Sequence, residues 1–104
     1  MNESLFTRRG HVYLGEVKND ASIDYNNKVG YICFHYKFAS MDVSDTGQEI
    51  SNIERGVITI HYHSWLTLPC MIRDINGREY YIQSVDEDED TRRMRLETVF
   101  KRTE

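Results

Sequence analysis

His61 and His63 stand at i and i+2 in an alternating run, which puts both rings on one face of a strand. Such a pair could hold a metal ion, but a zinc site needs three or four ligands. No third ligand is tied to them, and the nearest histidine, His35, belongs to another strand. They read as solvated or interface histidines. The run Asp86-x-Asp88-x-Asp90 has the spacing of a calcium loop, with Glu97 twelfth. Thr91 stands where that loop needs glycine for its sharp turn, and the residues after it alternate as a strand. The run reads as a solvated acidic turn suited to a basic partner.

Nucleophilic chemistry finds no framework. There is no Gly-x-Ser-x-Gly elbow and no glycine-rich phosphate loop. Cys33 and Cys70 lie far apart, match no metal or redox spacing, and read as reduced thiols. Tyr31, Phe34, Tyr36 and Phe38 could form a stacking platform for single-stranded nucleic acid. Lys and Arg total 13 against 17 Asp and Glu, a net charge of −4. That balance disfavours nucleic acid and favours packing as the role of these rings. The residues give no catalytic, cofactor or metal site, so the chain does not read as an enzyme.

The elements that carry these residues are strands. Val57–His63 alternates, with Ile58, Ile60 and Tyr62 on one face. Leu68-Pro69 breaks the run. Met71–Ile75 leads into Asn76-Gly77, a strong hairpin signal that predicts a type I′ turn, and Arg78–Val85 returns. Asp86–Asp90 turns the chain, and Arg93–Phe100 closes it with Met94, Leu96 and Phe100 on one face. Upstream, residues 1–10 read as loose. His11–Val17 reads as a first strand with Val12 and Leu14 inward and a bulge at Gly15. Asn19–Lys28 reads as a loop, and Val29–Phe38 as the second strand. Ile32, Phe34, Tyr36 and Phe38 share one of its faces; Tyr31, Cys33, His35 and Lys37 share the other. Aromatics on both faces imply a covering subunit or packing across a closed barrel.

Ala39–Gly56 reads as a long polar connection, with a short helical turn possible at Gln48–Arg55. A loop of this length in a small domain is functional or disordered. Met41, Asp42, Val43, Ser44, Asp45, Thr46, Gly47, Gln48 and Glu49 form its mobile part. With 104 residues, 39% of them hydrophobic, the chain is long enough for one folded domain. No apolar run of about 18 residues is present to span a membrane, and no secretory h-region opens the chain. The expected fold is all-β: a single small antiparallel barrel or sandwich of about five to six strands with one long mobile loop.

The chain resembles the head–tail joining family of long-tailed phages, the head-closure or stopper proteins. The likeness covers most of the chain. It rests on Arg8-Arg9 before Val12-Tyr13-Leu14, then Gly30-Tyr31-Ile32, then Gln48-Glu49. It continues through Ile58-Thr59-Ile60-His61-Tyr62, Asn76-Gly77-Arg78-Glu79-Tyr80-Tyr81-Ile82, Asp86-Glu87-Asp88 and Arg93-Met94-Arg95-Leu96-Glu97. His61 departs from the family's arginine and Tyr31 from its tryptophan. Ser64–Pro69 is more apolar than the family's turn.

The resemblance implies a structural virion protein of a phage or prophage neck, made in the bacterial cytoplasm. Its own subunits would form a closed heterologous ring of about twelve copies. The ring would sit below the portal and its adaptor, seal the DNA-filled head and join it to the tail. Packaged double-stranded DNA would be met in the channel without sequence specificity. Met41–Glu49 would be the gating segment, and Tyr31, His35, His61, His63 and Trp65 candidate contacts with neighbouring subunits or the tail. A tail-completion protein of the same connector is the nearest alternative, and a small nucleic-acid-binding barrel another.

Overall fold

A computed structural model describes residues 6–45, 50–88 and 90–103, and for 42–45, 50–52 and 101–103 the backbone alone. Six strands follow in order: β1 (Arg8–Val17), β2 (Ile23–Asp45), β3 (Ile50–His61), β4 (Cys70–Asp74), β5 (Glu79–Asp88) and β6 (Arg93–Thr103). They form a closed antiparallel barrel in the order β1-β2-β3-β6-β5-β4, with β4 pairing back onto β1. No helix occurs among the described residues. The expectation of a small all-β barrel holds.

Alternation builds the interior. Val12, Ile32, Phe34, Ile58, Ile60, Ile72, Tyr80, Met94, Leu96 and Phe100 are buried, and Val29, Tyr36, Trp65 and Val85 pack against them. The expected inner face of β6 is correct. On β2 the inner face holds through Tyr36 and then fails. A register shift between Phe38 and Ser40 ends the alternation, and Phe38 lies 53% exposed. Tyr62 falls past the end of β3 and is also exposed. The predicted irregularity at Gly15 is present: β1 and β2 shift register between Leu14 and Glu16, and the Gly15 N–H donates to the Pro69 carbonyl at 2.9 Å.

Four connections differ from expectation. Asn19–Lys28 is mostly strand: β2 begins at Ile23, and its polar residues pair with β1. Sheet context overrides weak intrinsic β-propensity here. The turn contracts to Lys18–Ser22, where Asp20 accepts from the Ser22 N–H and hydroxyl. Those bonds hold the Asp20 carboxyl below its ordinary pKa.

The Asn76-Gly77 hairpin is present, but its turn is not type I′. The Gly77 N–H donates to the Asp74 carbonyl and the Asp74 N–H to the Arg78 carbonyl, both at 2.9 Å. Within this loop only Gly77 has positive φ, at 90°. This is the three-residue loop in which a type I turn precedes a left-handed glycine. Asp74 selects it: its Oδ1 accepts from the Asn76 and Arg78 N–H groups at 2.9 and 3.0 Å.

The largest correction concerns Ala39–Gly56. It is a two-stranded ribbon, not a loop: β2 pairs with β3 from Phe38↔Gly56 to Asp45↔Ile50. β6 joins it as a third strand out to Ser51↔Thr103. Main-chain pairing needs no apolar side chains, so a polar composition concealed these strands. The possible helical turn at Gln48–Arg55 is replaced by strand from Ile50 onward. Thr46, Gly47, Gln48 and Glu49 lie outside the described residues.

The acidic run likewise continues β5. Asp86 and Asp88 stand opposite Arg95 and Arg93, cross-strand pairs of opposite charge.

Candidate functional site

The ribbon leaves one end of the barrel, and a polar cluster fills its base. Tyr36 lies across Gly56, and its hydroxyl donates to Glu54 Oε2 at 2.7 Å. Glu54 is buried. The Thr98 hydroxyl donates to the Gly56 carbonyl at 3.3 Å. Burial, then the Glu54 hydrogen bond, raises the Tyr36 pKa and keeps the phenol neutral.

Tyr80 completes this plug from below. Its ring meets Tyr36 at 5.3 Å, Phe100 at 5.5 Å and Phe34 at 5.7 Å. Its hydroxyl donates to Asp74 Oδ2 at 3.1 Å and accepts from Arg8 Nη1 at 3.2 Å. Burial is the main cause that raises the Tyr80 pKa, against the Arg78 hydrogen bond that lowers it. The Arg8 guanidinium lies 5.4 Å from the Tyr36 ring centre, and Arg78 lies 4.6 Å from that of Phe100. Two cations thus cover the rings while Asp74 and Glu54 hold the hydroxyls. The cluster can anchor the ribbon rigidly; it presents no nucleophile. Of its members, only Asp74 had a readable signal, an aspartate three residues before a turn glycine.

The predicted contact residues differ in their surroundings. Tyr31 is 51% exposed on the outer wall, with its ring 4.8 Å from that of His11. His35 lines a shallow outer depression with Lys37, Phe38, Ala39, Val57, Thr59 and Arg95. His61 ends β3 and meets the Phe6 ring at 4.7 Å, while Arg93 covers that ring from 5.2 Å. His63 lies beyond the strand, so the expected same-face histidine pair on one strand is not formed. Its ring stacks on Trp65 at 4.9 Å and 27°. Burial, then the neighbouring His61, lowers the His63 pKa.

Trp65 packs on Gly30, where a Cβ would come within 2.6 Å of the indole. It is half-buried and packs against the core. Among the described residues, no group of three His, Cys, Asp or Glu could hold a metal ion.

Sequence reasoning missed the exposed apolar positions. Ile75 is 70% exposed at the hairpin tip, and Val17, Leu68 and Met41 are also exposed. The thiols differ in environment: Cys33 is exposed on β2, whereas burial pushes the Cys70 thiol up to about 12. A maleimide reagent is therefore expected to label one thiol in the folded protein and both in denaturant, read by mass; two rapid labels in the fold would contradict this packing.

No family model, curated protein or solved structure matches this chain.

Proposed function

We propose that the chain is a ring-forming structural protein of a phage or prophage neck that seals the DNA-filled head and joins it to the tail. The observation that carries this reading is the β2–β3 ribbon, which extends past the strands that close the barrel. It supplies a projecting arm for a channel, and its base is held by Tyr36, Glu54 and Tyr80. Between Lys37 and Arg55 the sequence has Asp42, Asp45, Glu49 and Glu54 and no Lys or Arg. Over this span the two strands offer DNA phosphates no counter-cation; the cations beside them stand on β6, at Lys101 and Arg102. The compact barrel and its mixed-charge outer wall suit ring packing, and the resemblance of the hairpin motifs points to the same role.

The test uses packaged heads assembled with and without the chain. Heads without it are expected to release DNA to nuclease, and heads carrying a variant shortened within residues 41–49 are expected to keep the chain attached yet leak. Heads that hold their DNA but fail to join tails would assign the chain to tail completion instead. Heads normal in both respects would remove the neck reading.

A further inference from the structure

The ribbon has two unpaired flanks. β2 pairs with β1 only as far as Phe34↔Arg8, so among the described residues His35–Asp45 has a strand on its β3 side alone. β6 pairs with β5 only as far as Val99↔Tyr81, so among the described residues Lys101–Thr103 has a strand on its β3 side alone. These flanks lie on opposite sides of one three-stranded sheet, β2-β3-β6. Each presents main-chain N–H and C=O groups, the usual template for adding another strand.

We infer that copies of this chain join edge to edge, the β2 flank of one against the β6 flank of the next. The occupant is a second copy because the sheet carries both complementary flanks. β2 and β6 are each antiparallel to β3 and so run parallel to each other. Copies related by rotation about an axis along the strands therefore meet through a parallel ladder. The contact is heterologous, leaves a free flank at each end, and closes into a ring or grows into a filament. Phe38 and Met41, exposed beside the β2 flank, add apolar area to the junction. The inference stands on backbone pairing and does not depend on the neck role, so the nuclease assay and the experiment below fail separately.

The experiment follows association by sedimentation up to about 1 mM protein. Met41→Pro and Asp42→Pro are compared, because the N–H direction alternates between neighbours. One proline faces β3 and is expected to lower the melting temperature. The other faces the free flank and is expected to leave melting unchanged while weakening association more than tenfold. A cross-linking arm uses a Cys33→Ser background with Met41→Cys or Arg102→Cys and a flexible bismaleimide. Cross-linked dimers are expected only when the two variants are mixed. The inference is overturned by a wild-type protein that stays monomeric throughout, by association indifferent to both prolines, or by dimers from one cysteine variant alone. A mixture that gives no cross-link while the wild type associates also overturns it, since the flanks then do not meet.

Discussion

Tyr80→Ala is expected to lower stability by about 4 kcal/mol, the range for removing a large buried aromatic. Tyr80 is fully buried and touches the rings of Phe34, Tyr36 and Phe100. Its removal opens a void among three rings drawn from β2 and β6. It also takes the phenol from Asp74, a buried carboxylate, and from Arg8. A domain of this size is stable by about 5–15 kcal/mol, so the variant would sit near the limit of folding. Tyr80→Phe separates the two contributions. It keeps the ring and removes only the hydroxyl, for about 2 kcal/mol, the scale of a lost hydrogen bond to a charged group. Urea midpoints of the two variants make the comparison. Equal losses would mean that the hydroxyl network, and not ring packing, holds this end of the barrel.

Gly56→Ala is the second large effect, and its sign is opposite to the usual one. Replacing a strand glycine by alanine ordinarily stabilises by about 0.4–1 kcal/mol through the unfolded chain. At Gly56 the added Cβ would overlap the Cε1, Cζ and hydroxyl atoms of Tyr36. Tyr36 cannot move freely, because it packs on Tyr80 and Phe100 and donates to Glu54. Overpacking costs about 1–3 kcal/mol, and the bond to Glu54 is strained or lost with it. The expected net loss is about 2–3 kcal/mol. The double variant Gly56→Ala with Tyr36→Ala removes the clash and should lose less than the sum of the singles. Strict additivity in thermal unfolding would show that the two residues do not oppose each other across the ribbon base.

What the sequence could reveal followed from side-chain patterns. Met94, Leu96 and Phe100 on β6 alternate without interruption, and their burial was readable. Asn76-Gly77 announced a hairpin, but the turn type depended on Asp74, whose side chain captures two backbone N–H groups. The ribbon was not readable, because its strands are held by main-chain bonds to β3 and β6 and carry few apolar residues. Phe38 misled for a related reason: it lies where β2 has left β1, and it is exposed despite its place in the alternation. Trp65 packs against the core because Gly30 leaves a gap on β2 that admits the indole, and glycine alone does not announce that role. Long-range clusters such as Arg8, Asp74 and Tyr80 join residues far apart in sequence, and no local pattern links them.

The most direct test of the neck assignment is to locate the chain in a finished particle. A gold-tagged copy, supplied to particles that lack the untagged chain, would be imaged by electron cryomicroscopy. Label is expected at the single vertex between head and tail, arranged in a ring around the channel. Label scattered over the capsid or along the tail, or particles that assemble fully without any, would contradict it.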